Sequence, residues 1–398
     1  YRKIIRSKGH IAFGAGPVGE EYSQGSFDRL LRHYGLPPER AGHQIQMLVD
    51  GVELFAILMD QIKDAKASIS IETFVMHPDP VGRAILEALT QRASEGVEVR
   101  LLLDGVGSRP MRRKHYAALL KAGGKVGWFI PVLRLPFLGK ANTRNHRKIA
   151  VFDEQRVIAG GSNLAEEYMG PTPLPDRWKD INFLMEGPCV EDYLAIFRSD
   201  WQFATREQLP ATLGTWPQVG TLNAQIIPSG PDIPRDCLYD TVLMAISGAR
   251  ERCWIATPYF VPDQTLLDAI CLASARGIDV RIIVPMVSNQ RLTDLARSVF
   301  LRQAIDAEAK VYLHTGGMFH GKSILVDHEF TLVGSMNTDC RSLFINFEVM
   351  CRMNDSGLRD AVAGWNEELM ADARRTLPCA GRTRLFVESL VRVIAPEL

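Results

Sequence analysis

The chain has no run of 18 or more consecutive apolar residues, so no segment reads as a membrane-spanning helix. It has no net charge either: Lys plus Arg number 46 and Asp plus Glu number 46, which leaves no overall basic field to draw the molecule onto nucleic acid. Attraction to anions must therefore be local. It has no CxxC pair; Cys189, Cys237, Cys253, Cys271, Cys340, Cys351 and Cys379 are irregularly spaced, and an odd number cannot all pair within one chain. A reducing, cytosol-facing environment fits that usage. The first residue is Tyr1 rather than Met, which leaves room for an upstream segment, a membrane anchor included.

Against these absences stands one repetition. His146, Lys148, Asp153, Gly160 and Asn163 recur as His320, Lys322, Asp327, Gly334 and Asn337, and in both copies the His precedes the Asn by 17 residues. A chain of 398 residues, 46% of them hydrophobic, has the length for two globular units, and the repeat agrees.

The surroundings repeat as well. Helical spacing over Leu54 to Lys66 leads into a strand-like stretch, Ser68 to Val75, and Leu238 to Arg252 leads likewise into Cys253 to Val261. A second helix in each half ends in a matched phrase, EGVEVRLLL from Glu95 and RGIDVRIIV from Arg276, and a further helical stretch covers Arg112 to Ala122 and Thr293 to Ala307. Strands alternating with such helices predict two α/β lobes, each with a sheet covered on both faces. We expect an N-terminal segment at 1–40 with one short helix over Phe27 to Tyr34, a first lobe at 41–215 and a second at 216–398. Pro210, Pro217, Pro228, Pro231 and Pro234 read as a connector over Leu209 to Pro234.

In both copies the His and Lys open a strand-length apolar run, HRKIAVFD and HGKSILVD. Residues two apart on a strand share a face, so imidazole and ammonium point together, and the returning hairpin strand brings the Asn beside them. Two such sets would surround one anion with two Lys and two Asn donors, one imidazole to attack phosphorus and one to protonate a leaving alcohol. Asp153 and Asp327 belong to the motif and so to the catalytic set it defines, yet their odd offset predicts a turn-capping or lobe-tethering role. Asp180 and Glu348, in strand-like segments downstream of the two motifs, are candidates to accept Nδ1–H and fix the histidine tautomers. Zinc is disfavoured, because each His carries a Lys on its own face and no His or Cys cluster with ligand spacing accompanies it. The turn at Ser229, Gly230 and Pro231 reads as a linker turn.

The doubled motif resembles that of the phospholipase D superfamily, and the resemblance runs from about Gly51 onward. Within it the chain is similar to bacterial cardiolipin synthases through NHRKIAVFD with GGSN, EEYMGP, RWKDINFLMEGP, Asp200 with Trp201, TPYFVPD, RGIDVRIIVP, HGKSILVD, GSMN and NFE. One phrase, TDCRSLFINFE, departs from the family's usual Leu-Asp-Pro-Arg-Ser. The resemblance implies two similar lobes, each a mixed sheet flanked by helices, related by a pseudo-two-fold with the site between them. It implies a cofactor-free and metal-independent phosphatidyl transfer: two phosphatidylglycerols give cardiolipin and glycerol through a phosphohistidine, with lipid hydrolysis as the alternative and nuclease activity a weaker one. The family pattern makes His146 the nucleophile and His320 the acid and base, although the motif's symmetry does not distinguish them. Lys148, Lys322, Asn163 and Asn337 would hold the phosphoryl oxygens. The expected partner is phosphatidylglycerol at a membrane surface rather than nucleic acid, and the expected location is the cytoplasmic side of a bacterial inner membrane, peripheral or anchored upstream. Trp128 to Lys148 sets Val132, Leu133, Leu135, Phe137 and Leu138 among Arg134, Lys140, Arg144 and Arg147, either a lipid-facing segment or a loop packed on the second lobe. Arg109, Arg112, Arg113 and Lys114 read as a solvated helix face.

Overall fold

The computed structural model describes residues 11, 13, 26–130, 143–210, 216–233, 235–377 and 388. The first half runs α1 (Ser26–His33), β1 (Arg40–Leu48), α2 (Gly51–Asp64), β2 (Ser68–Thr73), α3 (Pro80–Ser94), β3 (Glu98–Asp104), α4 (Ala117–Lys121), β4 (Lys125–Phe129), β5 (Ile149–Phe152), β6 (Arg156–Gly160), β7 (Asn182–Glu186) and α5 (Val190–Thr205). The second runs β8 (Leu222–Ser229), α6 (Cys237–Gly248), β9 (Arg252–Ala256), β10 (Phe260–Val261), α7 (Gln264–Ala275), β11 (Asp279–Pro285), α8 (Arg291–Asp306), β12 (Lys310–His314), β13 (Ser323–Val326), β14 (Phe330–Gly334), β15 (Thr338–Asp339), α9 (Cys340–Phe344), β16 (Glu348–Met353), α10 (Ser356–Ala371) and β17 (Ala373–Arg374).

The repeat in sequence is a repeat in topology. The first half orders its strands β1-β7-β6-β5-β2-β3-β4 and the second β8-β16-β14-β13-β9-β11-β12, with β17 added at the far edge. β1 and β8 pair antiparallel, Arg40 opposite Ala224 and His43 opposite Leu222, so the two halves make one mixed sheet around a pseudo-two-fold seam. Both faces of β2, β3, β5 and β13 are buried. Leu101 and Leu103 of β3 pack with α2 and α3, while Leu102 between them joins Phe129, Phe197, Trp201 and Phe347 on the other face. A third cluster crosses the seam, from Ile149 and Phe183 in the first half to Ile226 and Met350 in the second. Burying one such side chain is worth about 1.5–3 kcal/mol, so the seam is held by apolar contact as well as by the strand pair.

The structure corrects three local expectations. The proline-rich connector contains β8, one of the two strands at the seam; Pro228 is tolerated because it lies beyond the last β1 partner, where one side of the strand has no ladder. The helix expected over Arg112 to Ala122 is only Ala117–Lys121, without a side-chain cap, and Arg109, Arg112, Arg113 and Lys114 are exposed on turns and loop rather than on a helix face. The stretch Cys253 to Val261 is broken between Ala256 and Phe260, around Pro258, which has no N–H to give a ladder.

Candidate active site

Each motif histidine sits just before its strand rather than on it, since β5 begins at Ile149 and β13 at Ser323. The segments carrying them pair instead across the seam. His146 donates its backbone N–H to Phe347 O and Phe347 donates to Arg144 O, while in the other half His320 donates to Lys179 O and Lys179 to Met318 O. The chain just ahead of each motif strand is thereby laid against the NFE phrase or the WKD phrase of the opposite half.

That pairing crosses the acids. Nδ1 of His146 lies 3.0 Å from the carboxylate of Glu348, and Nδ1 of His320 lies 3.0 Å from Oδ2 of Asp180. An ionised carboxylate only accepts, so both Nδ1 atoms carry the proton and both Nε2 atoms present a lone pair. Neighbouring imidazoles and lysines hold both acids below their ordinary range against the opposing effect of burial. The repeat equivalents Gly161 and Ser335 fit each acid differently. A Cβ at Gly161 would lie 2.1 Å from Asp180 Oδ1, whereas Ser335 Oγ donates to Glu348 at 2.5 Å.

The two imidazole rings are 6.4 Å apart between centroids. Burial pushes His146 down to about 4 and His320 down to about 3, in each case opposed by the carboxylate partner and reinforced by the lysines. Both rings are therefore neutral near pH 7. Lys148 Nζ donates to His146 O at 2.5 Å, and Lys322 donates to His320 O. Lys322 Nζ also lies 2.7 Å from His320 Nδ1 and 3.0 Å from Nε2; with the Nδ1 proton given to Asp180, Nε2 is the ring nitrogen that accepts from it. Burial lowers both lysines, Lys322 to about 8 and Lys148 well below its usual value. Asn163 is fixed by Val75 N, which donates to its Oδ1 at 3.0 Å, while Oδ1 of Asn337 is buried with no hydrogen-bond partner among the described residues. Two lysines set against two neutral, oriented imidazoles suit an anion with an electrophilic phosphorus.

Asp153 and Asp327 stand apart from this cluster, and their place in the catalytic set is corrected. Asp153 accepts the backbone N–H groups of Lys66, Ala67 and Ser68, and Asp327 those of Arg250, Glu251 and Arg252. Each occupies the hairpin turn at positive φ, 50° and 49°, and ties it to the start of β2 or β9. Loss of the buried Asp327 acceptor should cost about 3 kcal/mol, since bonds to charged groups are worth about 1.5–3 kcal/mol. Asp327→Ala is thus expected to lower the unfolding midpoint while the folded fraction keeps its turnover; a collapse of turnover in fully folded protein would contradict the tethering role.

Of the basic apolar segment only the two ends are described, and its C-terminal end packs on the second lobe, the second of the two expected arrangements. Arg144 and Arg147 turn inward: Arg144 bonds Ile130 O and approaches Asp104, and Arg147 is fully buried against Asp200 and Asp232. Val132, Leu133, Arg134, Leu135, Phe137, Leu138 and Lys140 lie outside the described residues. Three aromatic neighbours were not assigned from sequence. Tyr168 and Trp178 pack 5.1 Å and 5.9 Å from the His320 ring, and Phe74 packs 5.1 Å from His146. Tyr168 and Trp178 stand in the phrases EEYMGP and RWKDIN that carry the resemblance, so a signal was present without a role attached.

The depressed histidines make stability acid-sensitive in a defined range. The unfolded chain takes up these protons near 6.5 and the folded chain only near 4 and 3, so the unfolded state binds more protons as pH falls between those values. Burial raises Asp192 to about 7 and Asp232 and Asp339 to about 6, and these work in the opposite sense over the same range. The histidine effect is therefore a difference: from pH 7 to pH 4.5 the denaturant midpoint should change less favourably in the wild type than in a His146→Asn, His320→Asn double variant. Equal slopes would show that the buried imidazoles are not the cause. The carboxylates of Asp180 and Glu348 act at lower pH.

Its family and its curated relatives make the chain with this duplicated sheet a phosphatidyltransferase of the phospholipase D superfamily. A family model described as "Cardiolipin synthase, PLD-like domain" matches residues 58–201 and 242–370, and the chain belongs to that family. It is 34% identical over 343 residues to cardiolipin synthase A of Pseudomonas entomophila, covering 84% of this chain and 70% of that protein. It is 32% identical over 364 residues to the major cardiolipin synthase ClsA of Bacillus subtilis, covering 89% and 76%. The crystal structure of phosphatidylserine synthase from Haemophilus influenzae Rd KW20 shares the fold with a TM-score of 0.72 at 16% identity, over 94% of this chain and 100% of that one.

Proposed function

We propose that the chain condenses two phosphatidylglycerols into cardiolipin and glycerol through a phosphohistidine, with the chemistry carried at the seam between lobes 41–215 and 216–398. The observation that carries the mechanism is the crossed pair of histidine–carboxylate contacts, His146 with Glu348 and His320 with Asp180. His146 Nε2 attacks phosphorus; the new N–P bond forms as the bond to glycerol oxygen breaks, and His320 delivers a proton to that oxygen. His320 then takes the proton of the second lipid's hydroxyl, whose oxygen attacks phosphorus and expels His146. His320 must be protonated for the first step although the free site keeps it neutral. The phosphodiester anion seated beside it supplies negative charge that raises the imidazole. Lys148, Lys322, Asn163 and Asn337 would bind the non-bridging oxygens, where buried donors act most strongly on developing charge.

Similarity to cardiolipin synthases supports phospholipid as substrate, and work on a bilayer lipid brings the enzyme to a membrane surface, in our reading the cytoplasmic face of a bacterial inner membrane. No helix among the described residues is long and apolar enough to cross a membrane. Vesicles of phosphatidylglycerol incubated with the protein in chelator should yield glycerol and cardiolipin in equal amounts. Phosphatidic acid as the sole lipid product would replace the synthase by a hydrolase, since water would then be the acceptor.

A further inference from the structure

We infer that Arg147, which separates His146 from Lys148, is a positioning residue that holds Glu348 against His146. This rests on the two-histidine reading above. The two motif copies differ at this position, Arg147 in one and Gly321 in the other. Arg147 is among the largest fully buried side chains of the molecule, and its guanidinium reaches both halves. Nε donates to the backbone O of Glu348 at 3.1 Å and Nη2 to Ser229 O at 3.0 Å. Nη1 donates to both oxygens of Asp200, at 3.0 and 2.8 Å, and to Asp232 at 3.2 Å. Asn145 extends the network, donating to Asp200 at 3.1 Å.

Glu348 is thus held twice from the first motif: its side chain meets His146 and its backbone meets the next residue along. A guanidinium supplies five donors in a fixed fork, which a lysine at the same place lacks. Asp200 and Asp232 keep the buried cation compensated, while burial and the neighbouring Asp200 charge push Glu72 well above its ordinary value. The second copy has no room for such a clamp. A Cβ at Gly321 would lie 2.4 Å from the Trp365 ring, so that position is filled from α10. The clamp is therefore one-sided and acts on His146, the histidine assigned as nucleophile; Asp180, the acid on His320, receives no such clamp from Gly321.

A double-mutant cycle tests this, with activity followed as phosphatidylglycerol consumed so that the acceptor does not matter. Arg147→Lys keeps the charge and removes the fork; kcat should fall by about 10²-fold with KM little changed, the size expected of a small misplacement of a reacting group. In a Glu348→Gln background the same step should shrink below about threefold, and in an Asp180→Asn background it should keep nearly its full size, because only residues that act through one another are non-additive. An equal step in both backgrounds overturns the proposal. Asp232→Asn, which loosens the fork without removing it, should give a smaller loss with the same pattern. Imidazole ¹⁵N titration of the resting enzyme reads the clamp without turnover: Arg147→Lys should shift His146 and leave His320 in place. Equal shifts, or none, overturn the clamp, whereas a wrong substrate assignment would show only in the products of the vesicle assay.

Discussion

His146→Ala and His320→Ala should each reduce phosphatidyl transfer by about 10⁴-fold or more, since groups acting as one catalytic unit fail together. The two losses differ in kind. Without His146 there is no nitrogen to receive phosphorus, and no donor restores turnover. Without His320 the nucleophile remains, held by Glu348 at 3.0 Å, and the missing function is proton delivery to a poor leaving group. A phosphodiester with a p-nitrophenolate leaving group needs little protonation, so His320→Ala should still form a phosphoenzyme from it, trapped on the peptide containing His146 and read by mass spectrometry. Label on His320 in the His146→Ala protein would reverse the roles. Full turnover in both variants would remove the two-histidine mechanism.

Asp180→Asn and Glu348→Gln should come close to these effects. Exchanging the acid of an Asp–His pair for its amide has cost about 10⁴-fold where the tautomer depends on it. An amide can donate to Nδ1 and leave the proton on Nε2, where it blocks attack. Because the contacts cross the seam, Asp180→Asn should behave like a His320 defect, rescued by the activated donor, and Glu348→Gln like a His146 defect, not rescued. The opposite assignment, each acid serving the histidine of its own half, would appear as rescue of Glu348→Gln and would contradict the 3.0 Å contacts. Rate measurements with both donors on the two variants decide it.

Much of the site was legible because its chemistry is local in sequence. His146 and Lys148, or His320 and Lys322, stand two residues apart, and each Asn follows its His at the same count of 17. The structural role of Asp153 and Asp327 followed from parity along the strand, and their carboxylates do bind backbone at the hairpin turn. Periodicity read the helices well where apolar spacing was regular, as at Gly51–Asp64, and overran where it was not, as at Ala117–Lys121. Prolines misled at β8, since the cost of a proline in a strand depends on whether a neighbouring strand needs its N–H, which neighbours in sequence do not reveal.

The amino-acid sequence by itself determined the candidate reacting groups, their duplication and the alternation of strands and helices around them, since these follow from residue type and short spacing. Only the tertiary structure decided which acid serves which histidine and that Arg144 and Arg147 face inward. The partners of His146 and His320 lie 202 and 140 residues away. A hydrogen bond over such a separation is selected by how two halves of a sheet meet, through β1 on β8 and the short pairings of 144–146 with 347 and 179 with 318–320. No local pattern in the chain records that choice.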